Sequence, residues 1–269
     1  MIRSSGALIA ALLLAVSIAP APVAAESPVL SRIVESGKLR VGMSGSQPPL
    51  NFRNAAGELK GLEVDLAEAL AGMMGLELAI VEKPFAELLP TLAAGEIDLV
   101  LSGMTITAER SMRAAFVGPY FLSGKSILTR SATLAQAQGA AELDQESLTL
   151  AALAGSTSQV FVERMLPKAS LVTTPDYDSA VKLLLADEVS AIVADREIVA
   201  LTAFRHPKEG LATLREPLTI EPIGIAAPTG DALLVNYLEN TLDALEASGV
   251  LSVLRTRWLE RNDWVGELP

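Results

Sequence analysis

Asp98-Leu99-Val100-Leu101-Ser102-Gly103-Met104-Thr105-Ile106-Thr107-Ala108-Glu109-Arg110 is the stretch that decides how this chain is read. Leu99 to Leu101 is a short apolar run bounded by Gly95 and Gly103, the pattern of a buried parallel strand. In an open α/β sheet, ligands bind outside the carboxyl ends of the strands, so Ser102, Gly103 and Thr105 are expected at a binding crevice. Thr107 is placed to cap a helix by accepting from N–H groups two or three residues on. Arg110 then sits in a first helical turn, where it opposes the helix dipole unless an anion is bound. Its planar fork suits a carboxylate. The plain alternative is a capped helix carrying a solvated arginine.

Strand and helix alternate outward from this point. Leu39, Val41 and Met43 alternate with Arg40 and Gly42 as a first strand, and Leu62 to Met74 carries apolar residues at helical spacing with Gly75 as its cap. Leu76, Leu78 and Ile80 give a second strand, and Pro90 is placed to open a helix that Gly95 closes. The series predicts one α/β lobe. After the small, polar tract Ser131 to Gln145 a second series begins. It holds strands at Leu148–Leu153, Leu171–Thr173 and Val189–Val193, with helices through Val160 and Met165 and near Ala180–Ala186. An apolar run at Ile220–Ala227 and helices near Asp231–Ala247 and Val250–Leu259 end the chain, with Trp258 and Trp264 expected to pack there.

The N-terminus reads as a signal peptide spanning residues 1–25. Arg3 is the only charge before Glu26, Leu8 to Ile18 is apolar, and Val23-Ala24-Ala25 offers a small-residue cleavage site. The apolar run is short for a bilayer span and ends in Pro20 and Pro22. Export to the periplasm is therefore expected. There is no cysteine, which excludes disulfides, thiolate metal sites and a cysteine-linked lipid anchor. A single histidine, His206, argues against a histidine-based zinc site and points to a surface loop; no metal or cofactor is expected. The net charge of −11 argues against nucleic acid and anionic membrane partners. The exported length exceeds the usual size of one domain, which favours two lobes.

The blocks Gly61-Leu62-Glu63-Val64-Asp65-Leu66, Leu89-Pro90-x-Leu92-x-x-Gly95-x-x-Asp98, Ser102-Gly103-Met104-Thr105-Ile106-Thr107-x-x-Arg110 and Gly118-Pro119-Tyr120 resemble the polar amino acid class (family 3) of bacterial solute-binding proteins. The resemblance covers nearly all of the chain beyond the signal peptide. It implies the type II periplasmic binding protein fold, two α/β lobes joined by a two-strand hinge, with Ser126–Arg130 and Ile220–Ala227 as the crossing strands. Lobe 1 would comprise residues 26–125 and 222–269, and lobe 2 residues 126–221. The implied activity is non-enzymatic: a monomer captures an amino acid or similar small zwitterion and delivers it to an inner-membrane ABC permease.

Site expectations follow from both routes. Gly155-Ser156-Thr157-Ser158 precedes a predicted helix, so Ser156, Thr157 and Ser158 form a second anion-binding turn opposite Arg110. Asp195, at a strand end, is the natural partner of a ligand ammonium, with an N-cap or an ion pair to Arg196 as its structural alternatives. By resemblance it matches the aspartate that receives the α-amino group, with Thr105 and the Ser102 carbonyl nearby, and Phe85 lies against the ligand. Ser44 and Gln47 depart from the commoner family pattern of aspartate and an aromatic. With Asn51 they predict a distal pocket for a neutral polar side chain. Two other classes remain: a dehydratase of the same fold acting on a cyclic carboxylic acid, with Glu63, Glu87 or Glu109 as acid, and a sensor serving a separate receptor.

Overall fold

A computed structural model describes residues 27–268 of the chain; the expected signal peptide lies outside them. Helix α1 (Pro28–Ser36) leads into β1 (Lys38–Met43), and a small antiparallel sheet follows from β2 (Ser46–Gln47), β3 (Asn51–Arg53) and β4 (Leu59–Lys60). Helix α2 (Leu62–Met74) ends at Gly75, whose φ of 67° is the left-handed cap expected of glycine there. Strand β5 (Glu77–Glu82), helix α3 (Leu88–Ala93), strand β6 (Leu99–Val100) and the single-turn helix α4 (Ala108–Ser111) complete the first series.

Strand β7 (Ala115–Ser123) then runs into β8 (Lys125–Thr129), the first crossing. The second series is β9 (Thr149–Leu153), α5 (Thr157–Met165), β10 (Ser170–Thr174), α6 (Tyr177–Leu185), β11 (Ala191–Asp195), α7 (Arg196–Arg205) and β12 (Ala212–Thr213). The chain returns through β13 (Glu221–Ala227) to α8 (Ala232–Ala247) and α9 (Val250–Arg255). The first five-stranded sheet has the order β5-β1-β6-β13-β7 and the second β10-β9-β11-β8-β12. Within each, the three strands of the βαβ series are parallel, and the crossing strands are antiparallel to their neighbours. This is the two-lobed, doubly crossed α/β fold expected.

The crossings fall slightly outside the predicted positions. Sheet membership changes at Gly124, so Lys125 belongs to the second sheet, and Glu221 already belongs to the first. A Cβ at Gly124 would stand 2.3 Å from the Thr219 carbonyl oxygen and 2.7 Å from Pro217 Cβ, so only glycine lets the two crossings lie this close. The Lys125 N–H donates to Thr219 Oγ1 at 3.0 Å, and Leu218 N–H to the Lys125 carbonyl at 2.7 Å, which ties the crossings together.

Two devices join the C-terminal segment to the first lobe. Asp231 accepts from Val29 N–H, Leu30 N–H and Ser27 Oγ at the start of α1 and from Leu234 N–H at the start of α8. One carboxylate thereby caps two helices. Trp258 and Trp264 pack at 5.2 Å between ring centroids, each also against Phe52 at 5.9 and 5.3 Å. Among the described residues no helix is long and apolar enough to cross a membrane.

Candidate functional site

The carboxyl ends of β1 and β6 meet in a buried polar layer. Ser102 Oγ accepts from Ser44 N–H at 3.0 Å and from Gln47 Nε2 at 3.1 Å; Gln47 Nε2 also donates to Ser44 Oγ at 2.8 Å. Asn51 Oδ1 accepts from Gly45 N–H at 2.7 Å and from Ser44 Oγ at 3.1 Å, while Asn51 Nδ2 donates to Glu63 Oε2 at 2.5 Å. Glu63, fully buried at the start of α2, also accepts from Gly103 N–H at 2.6 Å and from the Tyr120 hydroxyl. Burial pushes the Glu63 carboxyl above its ordinary range even against these donors, and pushes the Tyr120 hydroxyl well up.

This layer corrects two expectations. Gly103, at φ 60°, turns its N–H inward onto Glu63, so it is not a free donor in the crevice. Ser44 and the amides of Gln47 and Asn51 are bound to one another and to Ser102 and Glu63, so these groups do not form an open polar pocket for a ligand side chain. They hold the Ser102–Thr105 turn in place from beneath.

Arg110 stands above that turn. Thr107 caps α4 as its sequence predicts, accepting from Arg110 N–H at 3.1 Å. The guanidinium extends over the ring of Phe85, 5.7 Å from its centroid, and donates from Nη1 to the Thr105 carbonyl at 3.0 Å. Its Nη2 donates across the cleft to the Gly155 carbonyl at 3.1 Å. Thr105 Oγ1 and Thr157 Oγ1 lie 3.2 Å apart, and Gly155 approaches Ala86 closely enough that a Cβ would stand 3.0 Å from the alanine methyl. The two lobes therefore meet at this point. Burial lowers the Arg110 pKa, while the charges of Asp195, Glu221 and Glu109 act the other way. Among the described residues no carboxylate forms a salt bridge with Arg110. A cavity of about 420 Å³ opens beside it, lined from the two lobes by Ala86, Leu89, Glu109 and Gly155. A larger one, about 770 Å³ between α7 and the C-terminal tryptophans, includes neither Arg110 nor Asp195.

On the second lobe, Ser156 caps α5, accepting from Gln159 N–H at 3.2 Å and donating to the Leu153 carbonyl at 2.7 Å. The N–H groups of Thr157 and Ser158, at the first helical positions, have no acceptor within the helix. Ser158 Oγ is buried without a hydrogen-bond partner. Ser156 is therefore occupied as a cap and Thr157 Oγ1 is engaged with Thr105, which leaves the backbone N–H groups of Thr157 and Ser158 as the donors of that turn.

Asp195 ends β11, and its surroundings hold the main surprise. Its Oδ1 lies 2.5 Å from Nζ of Lys125, which stands directly opposite it in the antiparallel β11/β8 ladder and is 1% exposed. Glu221 Oε2 lies 3.6 Å from the same ammonium. Of the predicted alternatives for Asp195, the N-cap position of α7 is where it stands, although its side chain makes no capping bond, and the ion pair with Arg196 does not form, since Arg196 pairs with Glu197. A lysine opening the otherwise buried strand Lys125-Ser126-Ile127-Leu128-Thr129 was the available signal, since an unpaired ammonium is not tolerated at such a position.

Comparison with known proteins agrees with this architecture. Residues 39–261 match the description of bacterial extracellular solute-binding proteins, family 3. The chain is similar to cyclohexadienyl dehydratase of Pseudomonas aeruginosa, 28% identical over 97% of each chain. It is also similar to the L-cystine-binding protein of Escherichia coli K12, 25% identical over 87% of each. The crystal structure of an ancestral amino acid-binding protein, a precursor of cyclohexadienyl dehydratase, superposes with a TM-score of 0.78 at 30% identity, covering 86% of this chain and 98% of that one.

Proposed function

This chain belongs to the bacterial extracellular solute-binding proteins, family 3, and from that premise we propose that it captures a small, amino acid-like carboxylate between its lobes for delivery to a membrane ABC permease. The observation that carries the reading is Arg110: a half-buried guanidinium with backbone partners on both lobes, an aromatic ring beneath it and no protein carboxylate to neutralise it. A ligand carboxylate would complete it. The N–H groups of Thr157 and Ser158 supply the opposing half, so that closure and binding are one event. The amino acid-binding relatives support the class of solute, and the family supports action outside the cytoplasm, with the signal peptide as its route.

We favour binding without a catalytic step over the dehydratase reading. Glu63 is sealed under three donors, Glu87 is exposed, and Glu109 pairs with Arg164 at 3.4 Å on the surface. The test is a thermal-shift screen of amino acids and small organic acids with small-angle scattering on the hits. Ligand at a hundred times its dissociation constant adds about 2.7 kcal/mol of stability, or roughly 5–10 °C in Tm at this size. The expected hit also reduces the radius of gyration. A screen without a hit, or a hit without compaction, contradicts capture by closure.

A further inference from the structure

We propose that Arg110 and Arg113 form a two-cation site and that the captured solute is a dicarboxylate, its second carboxylate held by Arg113. The proposal rests on the capture reading above and names the solute class. Both arginines line the cavity of about 420 Å³ that Gly155 walls from the second lobe. They stand three residues apart on one helical turn, Arg113 N–H donating to the Arg110 carbonyl at 2.9 Å. Their side chains therefore leave neighbouring points on one face, with Cβ atoms about 5–6 Å apart. A short diacid spans a gap of that size. Arg113 is exposed and, like Arg110, forms no salt bridge among the described residues.

The charge balance of the cavity favours a dianion. Glu109 is the one acid among the residues lining it, and it sits four residues before Arg113, the spacing of a favourable helical pair. Its carboxylate is instead directed to Arg164 of α5, at 3.4 Å. With or without that partner the guanidiniums outnumber the carboxylate, so a second negative group on the solute is attracted here rather than repelled. The remaining wall is apolar, and Ala86, Leu89 and Pro90 offer a shelf for the methylenes between two carboxylates. An amide in place of the second carboxylate brings no charge and leaves Arg113 to water. Because Arg113 reaches solvent, the preference is moderate and falls with salt.

The test is calorimetry on pairs that differ only in a second carboxylate or its amide: L-glutamate with L-glutamine, L-aspartate with L-asparagine, succinate with succinamate, and glutarate with glutaramate. For the tightest-binding pair at low salt, the wild-type protein should prefer the diacid at least about fivefold, and the preference should shrink between about 0.02 and about 0.3 M salt. Arg113→Gln, a substitution at an exposed position, should bring the two members within about twofold while the affinity for the amide stays unchanged. A wild-type preference below fivefold, one that salt does not move, or one that survives in Arg113→Gln overturns the proposal. If either member binds wild type and is lost in Arg110→Ala, the capture reading survives that failure. Binding of no member of any pair also overturns the proposal, and the wider thermal-shift screen then decides capture.

Discussion

Lys125 and Asp195 face one another across a single antiparallel ladder position, Nζ to Oδ1 at 2.5 Å. The pair divides the charged groups of the site into two kinds. Asp195 is neutralised by its own chain, whereas Arg110 is held only by backbone carbonyls and an aromatic face. In the proposed reading the arginine is a charge left for a ligand, and the structural charges elsewhere can be tested apart from it.

Asp98 is the clearest of these. It is fully buried at the start of β6 and accepts from Arg40 and Arg32, each at 2.7 Å, and from Arg40 N–H at 2.8 Å. Burial alone would raise its carboxyl pKa, but these donors outweigh it and hold the pKa below the ordinary range. Its stabilisation is present above the unfolded pKa of about 3.9 and is lost as pH falls through the lower native value. Asp98→Asn should cost about 2–3 kcal/mol near neutral pH, less than a fully buried pair because both arginines reach solvent. In urea unfolding, the gap from wild type should narrow on acidification below pH 4. A gap independent of pH would assign the effect to packing.

Glu63→Gln tests the layer beneath the ligand turn. Glu63 accepts from Gly103 N–H and Tyr120 on one oxygen and from Asn51 Nδ2 on the other, whereas glutamine turns an NH₂ toward one of these donors. The expected loss is about 1–3 kcal/mol. Because burial raises the native pKa of Glu63, its contribution is full below the unfolded value and fades as pH rises through the native one. The variant should therefore approach wild-type stability with rising pH. Denaturant titrations showing equal stability at pH 5 would remove Glu63 from this role.

Gly124→Ala tests the paired crossings. The added methyl would stand 2.3 Å from the Thr219 carbonyl, so Ser123–Lys125 and Pro217–Thr219 must part. Overpacking of this kind costs about 1–3 kcal/mol. Scattering should also show a more open ligand-free particle. Unchanged stability and radius of gyration would mean that the crossings have slack.

Much of this was legible in the sequence because the signals are local. Gly75 after an amphipathic run ends α2, Thr107 caps α4, and the 2- and 3.6-residue periods give both α/β series. Other features depend on contacts distant in sequence. Residues 231 and 28–30 meet in one cap, and Asn51, Glu63, Gly103 and Tyr120 share one buried network. Composition offers no sign of either. The strand-end position of Asp195 was readable, but its partner was not, because Lys125 is 70 residues away and only the ladder register brings them together. Ser44, Gln47 and Asn51 looked like pocket lining for the same reason: their polarity is visible in sequence, and their mutual hydrogen bonds are not.

The most direct test of the account is calorimetric titration of Arg110→Ala with the best ligand from the thermal-shift screen, alongside the wild-type protein. Removing one partner of a buried charge pair costs about 3–5 kcal/mol, so affinity should fall at least about a hundredfold while the variant keeps its fold. A folded Arg110→Ala protein binding within threefold of wild type would contradict the assignment of Arg110 as the carboxylate anchor, and with it the reading of this cleft.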